Sequence, residues 1–362
     1  MKILFDHQKF SMQRYGGISR YFANLNDGLN KYPGNKSFIS ALYSENEYIK
    51  NTPIPLNNSI GRSLFAGHNN RIYRWNRRYS QLCLRLSSFD VFHPTYFDPY
   101  FIQHLKKPFV LTVHDMIYEL LPHLFQDAEE IVARKKILIK KADRIISISD
   151  HTKNEIVKFY PEVESKISVV HHGYAFADHE IIQLDLPDQY ILFIGERWHY
   201  KNFIKLVNAV SGLLVKNRDL NLICVGGRSF SEVETSLFQR LGITSQCHQL
   251  NATDAELKQI YAQARLFVFP SLQEGFGLPL LEAFSSNCPV VCSNATSLPE
   301  IAGEAAIYFN PEDDASIKVA VEKVLYDSSL QQQLRQMGKK RMELFTFDNC
   351  LKGTLEVYRS LL

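Results

Sequence analysis

The chain has no apolar run long enough to cross a bilayer, no C-x-x-C pair, no Asp-x-Asp and no acidic residue between positions 48 and 89. Each absence excludes something. A membrane-spanning helix needs about 20 mostly apolar residues. The opening Met1-Lys2-Ile3-Leu4-Phe5 is too short to be a signal peptide, so a cytosolic protein is expected. The six cysteines (Cys83, Cys224, Cys247, Cys288, Cys292, Cys350) are scattered, without metal-site spacing, and read as reduced, mostly structural thiols.

What remains is an ordinary globular composition, 45% hydrophobic and 22% charged over 362 residues. That length suits two domains of similar size. Charge is uneven between them. Residues 1–183 hold 24 Lys+Arg against 18 Asp+Glu, and the rest hold 17 against 20. The acid-free stretch contains Arg71-Ile72-Tyr73-Arg74-Trp75-Asn76-Arg77-Arg78-Tyr79, basic residues interleaved with aromatics. Such a segment reads as a solvated helix face, or as a contact with an anionic membrane surface or a phosphate-bearing partner. Nucleic acid is not expected, because the chain is only mildly basic and shows no recognition motif.

Short apolar runs followed by glycine loops and helical periodicity recur along the chain. Lys2–Asp6 reads as a strand, Gln13–Gly17 as a polar loop, and Ile18, Tyr21, Phe22, Leu25 and Leu29 as one helix face. Strand, glycine loop and helix start form a unit that lets a phosphate approach backbone N–H groups. The pair Gly16-Gly17 fits that unit and fits a plain tight turn equally well. Asp90–His93 and Pro108–Asp115 read as further strands; the second ends in His114-Asp115, either a loop cap or a polar pair at a strand's carboxyl end, where open parallel sheets bind ligands. Residues 175–189 lack periodicity, carry Pro187 and read as the linker.

The second half repeats the plan. Gln189–Gly195 is a strand, and Arg197 and Lys201 follow it in a loop. Two cations there can neutralise a diphosphate or can be surface charge. Leu220–Gly227 is the next strand and glycine turn, with Gly226 in the turn. Leu266-Phe267-Val268-Phe269 is a buried strand, followed by a loop with Gly275 and Gly277 and a helix opened by Pro279. Glu274 lies on the loop and Glu282 about one turn inside the helix. Carboxylates can grip sugar hydroxyls, and a helix start can hold a phosphate.

The run E-G-F-G-L-P-L-L-E-A from Glu274, continued by C-P-V-V-C-S-N-A-T-S-L-P-E-I-A-G-E-A-A-I-Y-F-N-P-E-D from Cys288, resembles the signature of family 4 retaining glycosyltransferases. The likeness is gapless from about Ala262 to Asp313, and Glu274 and Glu282 match the family's E-x7-E. T-V-H-D resembles the family's active-site histidine motif. G-E-R-W-H-Y-K-N resembles a family variant whose Arg and Lys hold the donor phosphates.

The resemblance implies a GT-B fold: two doubly wound α/β domains facing a cleft, residues 1–180 acceptor-binding and 181–345 donor-binding, with a final segment 346–362 crossing back to the first. It implies a retaining hexosyltransferase using a nucleotide sugar, with GDP-mannose first and a UDP-hexose second, and with no metal or other cofactor. The expected acceptor is a glycan or lipid-linked oligosaccharide, as in O-antigen or capsule assembly, and the basic N-terminal half suits one carried at the inner membrane face. His114 and Glu274 are the implied catalytic residues. Gly16, Gly17, Arg197, Lys201, Gly226, Phe276, Gly277, Leu278 and Glu282 are the implied donor contacts, and Arg20, Tyr21 and His93 the acceptor contacts. A nucleotide-sugar epimerase and a non-catalytic binder are the alternatives.

Overall fold

The structure is a computed structural model that describes residues 1–50, 52–174 and 184–362. The chain divides into two compact units, Met1–His171 with Cys350–Leu362, and His172–Asn349. The expected boundary at 180 therefore moves back. His172 and Tyr174 already pack with the second unit: the His172 ring meets Phe276, and the Tyr174 N–H donates to the Phe345 carbonyl. The first nine residues of the expected linker, 175–183, lie outside the described residues.

Among the described residues the first unit holds six strands: β1 (Lys2–Phe5), β2 (Lys36–Ile39), β3 (Val91–His93), β4 (Val110–Val113), β5 (Arg144–Ser147) and β6 (Ile167–Val169). All pair in parallel, in the orders β2-β1-β3 and β4-β5-β6, and a parallel bridge from Phe92 to Phe109 joins the two groups. Helices cover the strands, so Ile3, Leu4, Phe5, Val110 and Leu111 are buried as unbroken apolar runs, as parallel sheets require. The helix Gly17–Lys31 presents Phe22, Leu25 and Leu29 to this core, as its periodicity predicts. Ser149 caps Asp150–Phe159 by accepting from the Thr152 N–H. The last helix, Phe347–Arg359, gives its residues from Cys350 onward to this unit: the Tyr358 hydroxyl lies 2.6 Å from His93 Nδ1, and Gly353 sits against Val170.

The second unit holds β7 (Gln189–Ile194), β8 (Leu220–Val225), β9 (Cys247–Leu250), β10 (Leu266–Phe269), β11 (Val290–Ser293) and β12 (Ala306–Phe309), all parallel, in the order β12-β11-β10-β7-β8-β9. The chain runs outward from β7 to β9, then returns to β7's other side and runs outward again. That reversal, between β7 and β10, is the topological switch point where such sheets bind ligands. One face is filled by Phe203, Leu206, Val210 and Leu213 of the helix Phe203–Lys216 packed on Ile191, Phe193 and Leu222. The six cysteines are free and buried. No helix among the described residues is long and apolar enough to cross a membrane.

Candidate active site

The loops after β7 and β10 leave the sheet side by side at the switch point of the second unit, and they are stitched together. The Leu272 N–H donates to the Tyr200 carbonyl at 2.7 Å. Asn202, in the left-handed region at φ 59°, sends its amide to the carbonyls of Pro270 (3.1 Å) and Pro311 (2.7 Å). This seam brings Lys201 Nζ to 2.6 Å from Glu274 Oε1, with side chains 21% and 13% exposed. The pair is held at the surface of the switch point rather than within the core.

Glu274 is fixed from its backbone as well. Its N–H donates to Thr296 Oγ1, and its carbonyl accepts from Ser297 Oγ at 3.0 Å. Phe276 turns inward, edge-on to His172 and Phe345 at centroid distances of 5.1 and 5.8 Å. Gly277 adopts φ 98° as the N-cap of the helix Leu278–Ser285, and a Cβ there would lie 2.7 Å from Leu298 Cδ2. Only glycine suits both conditions. Pro279 follows in the first turn. Glu282 is 7% exposed, and its Oε2 accepts from the Tyr261 hydroxyl at 3.2 Å. Burial and this carboxylate push the Tyr261 hydroxyl well above its ordinary range, so it stays a donor.

Arg197 lies deeper than the expected phosphate contact. It is 9% exposed, and its three nitrogens donate to Glu234 Oε1 (2.8 Å), the Gly226 carbonyl (3.0 Å) and the Arg228 carbonyl. The guanidinium thus fixes the turn in which Gly226 and Gly227 take φ 86° and 69°. Of its five N–H donors, three serve the interior. Glu234 does two tasks: it holds Arg197 and closes the capping box with Ser231 at the start of Glu232–Leu241. Glu234, Tyr261, Asn202 and Thr296 were not singled out from the sequence. The available signals were the Ser231-x-x-Glu234 capping pattern and the places of Asn202 and Thr296 inside the two quoted runs.

In the first unit the expected residues separate. His114 follows β4, is 9% exposed, and has the Tyr21 ring edge-on at 5.4 Å and Phe22 at 6.1 Å. Gly16 and Gly17 begin the helix that carries Tyr21, with Ser19 Oγ and the Arg20 N–H both donating to the Gly16 carbonyl. Arg20 is half-buried. His93 is a correction. It is fully buried, with Nδ1 paired to the Tyr358 hydroxyl and Nε2 to Thr112 Oγ1 at 2.9 Å, and burial holds it down at about 3. One ring nitrogen is spent on the last helix and the other on β4, so His93 is a structural histidine and not an acceptor contact.

A cation paired with a carboxylate, a bare helix start and a second carboxylate, gathered at a switch point, can hold a ligand that is part phosphate and part polyol. Residues 176–341 match the family described as Glycosyl transferases group 1, and residues 15–176 match Glycosyltransferase Family 4. The chain is 30% identical over 278 residues to the O-antigen chain mannosyltransferase B of Escherichia coli, covering 72% of this chain and 73% of that one. It is 30% identical over 219 residues to the O-antigen chain mannosyltransferase RfbU of Salmonella typhimurium, covering 59% and 60%. Among solved structures it resembles the sucrose-phosphate synthase of Thermosynechococcus elongatus (TM-score 0.76, 17% identity, 100% of this chain and 99% of that one). It resembles equally Anabaena HepE in complex with UDP and glucose (TM-score 0.76, 14% identity, 100% of both). The fold is GT-B.

Proposed function

The chain belongs to glycosyltransferase family 4 and is a hexosyltransferase, and from that premise we propose that it transfers mannose from GDP-mannose, with retention and without a metal, to a hydroxyl of a glycan or lipid-linked oligosaccharide. The observation that carries the reading is the Lys201–Glu274 pair at the switch point, with Glu282 eight residues on, inside the helix. The mannosyltransferase names of its relatives favour mannose.

In this reading Glu282, oriented by Tyr261, takes the ribose hydroxyls. Glu274 and the backbone at Phe276, Gly277 and Leu278 hold the sugar. Lys201 and the helix start stabilise the departing diphosphate, a task preorganised charges perform without a cation. Arg197 shapes the glycine turn at Gly226 and offers its remaining N–H groups. Gly16 and Gly17 present backbone to the donor, while Arg20 and Tyr21 serve the acceptor. His114 orients; the leaving phosphate takes the acceptor proton. The protein works in the cytoplasm, against the inner membrane surface.

A melting-temperature series with GDP, UDP, ADP, dTDP and CMP, with and without EDTA, tests the donor assignment. A ligand at a hundred times its dissociation constant adds about 2.7 kcal/mol. GDP should stand out, unaffected by EDTA. A UDP-selective shift would move the donor to a UDP-hexose, and a shift that needs a divalent cation would overturn metal independence.

A further inference from the structure

Lys9 is a buried ammonium. It follows β1 in the short helix Gln8–Met12 and is 6% exposed. Its ammonium lies on the face of Tyr96, with Nζ 3.5 Å from the ring centroid. Among the described residues no carboxylate forms an ion pair with it. Asp115 is the carboxylate whose charge it feels, across a gap too wide for an ion pair. Desolvation pulls the ammonium down to about 8, and Asp115 works against that. A nearly buried cation left without an acceptor is costly unless something else supplies one.

The surroundings are built rather than accidental. Asp6, fully buried, accepts from the Thr95 N–H (2.8 Å), the Thr95 hydroxyl (2.7 Å) and the Gln8 side-chain amide (2.7 Å). Thr95 Oγ1 in turn accepts from the Lys9 N–H at 3.1 Å. One carboxylate therefore locks both the segment that carries Lys9 and the loop that carries Tyr96. Asp115 is pinned by the Ile117 N–H to its Oδ1, and its carbonyl takes the buried Lys135 ammonium. Lys9, Tyr96 and Asp115 follow β1, β3 and β4, three neighbouring parallel strands, so all three stand at the carboxyl edge of the sheet, the edge at which open parallel sheets bind ligands. His114 stands on the same edge, one residue before Asp115.

We propose that Lys9, Asp115 and Tyr96 form a sugar subsite for a neutral pyranose of the acceptor. The ammonium donates to one hydroxyl and the carboxylate accepts from its neighbour, so a vicinal diol closes the gap that the two side chains leave between them. The proposal deepens the glycosyltransferase reading and rests on it.

Ligand-detected saturation-transfer NMR tests it on the full chain. The probes are the methyl glycosides of mannose, glucose, galactose and N-acetylglucosamine, with GDP and UDP present to fill the donor site. At least one glycoside should bind the wild type. Lys9→Met should weaken that glycoside about 10-fold or more, as should Asp115→Asn, while nucleotide affinity stays unchanged. Lys9→Met should melt no lower than the wild type, because it removes a buried charge that Asp115 offsets only in part. Nucleotide binding without any glycoside signal, or a glycoside affinity unchanged in Lys9→Met, overturns the subsite and leaves the transferase reading standing. Loss of inorganic pyrophosphate binding in Lys9→Met, with glycosides unaffected, also overturns it, in favour of an anion site. Failure of every nucleotide to bind would instead sink the transferase reading itself.

Discussion

Lys201 and Glu274 lie 73 positions apart, on the loops after β7 and β10, and their charged atoms meet at 2.6 Å. The pair exists because the sheet reverses direction between those strands. It is exposed enough to exchange partners: an incoming diphosphate can take the ammonium, which leaves the carboxylate to the sugar. Lys201→Met should therefore weaken nucleoside diphosphate binding, while Glu274→Gln should lower turnover about 100-fold with nucleotide affinity nearly kept. Calorimetry with GDP alongside steady-state rates separates the two. Equal loss of nucleotide affinity in both variants would contradict the division of labour.

Arg197 should behave differently. Its guanidinium and Glu234 are both nearly buried, with side chains 6% and 10% exposed. Breaking such a pair from one side costs about 3–5 kcal/mol, because the other charge is left buried and alone. Arg197→Met should lower the denaturation midpoint sharply. Arg197→Met with Glu234→Leu should recover part of the loss. No change in midpoint for the single variant would show the clamp to be idle.

The buried histidines give the fold a dependence on acid. His93 and His7 are both held down at about 3 by burial, which favours the neutral ring. The unfolded chain takes up protons on them near 6.5, the folded one does not, so their contribution is complete above 6.5 and is lost as pH falls toward 3. At pH 5 the loss is about 2 kcal/mol for each. Chemical denaturation at pH 7 and pH 5 should show it, with a shallower slope in His93→Gln. An acceptor KM unchanged in that variant would agree with His93 as a packing residue; a large rise in KM with stability intact would restore it as a contact.

The basic helix also acquires a definite face. In Asn69–Leu86 the outward stripe carries Arg71, Arg74, Trp75, Arg78, Leu82, Arg85 and Leu86, with Trp75 45%, Leu82 51% and Leu86 76% exposed. Arg77 is not part of it, since it turns to Asp98 at 3.7 Å. Arg71 ties this helix to the carbonyl of Leu64, where Ile60 and Leu64 are exposed as well. Cations beside apolar side chains suit an anionic bilayer, at about 1 kcal/mol for each cation. Replacing Arg74, Arg78 and Arg85 by Gln should weaken binding to anionic vesicles about 100-fold and leave zwitterionic vesicles as they were. Unchanged flotation with anionic vesicles would remove the membrane from the account.

Much of this was legible in the sequence because the strands are buried on both faces and read as apolar runs, and because Gly277 and Pro279 announce a helix start. The strand Cys247–Leu250 was not visible, since an edge strand with His248 and Gln249 half-buried carries no apolar signal. Nor could local reading separate Arg197 from Lys201. Both are cations in one loop, and what distinguishes them is Glu234, supplied by a helix 37 positions away. His93 misled for the same reason: its partner, Tyr358, is 265 positions on. Lys9 shows the converse, a charge in a polar-looking first turn whose burial only the sheet edge explains.

The most direct test of the central claim is proton NMR of GDP-mannose incubated with the protein and a glycan acceptor in EDTA. The account predicts that the α-linked donor signal decays only when acceptor is present, and that the new anomeric signal is that of an α-mannoside. A β-linked product, or donor consumed in the absence of acceptor to give an epimeric nucleotide sugar, would contradict it.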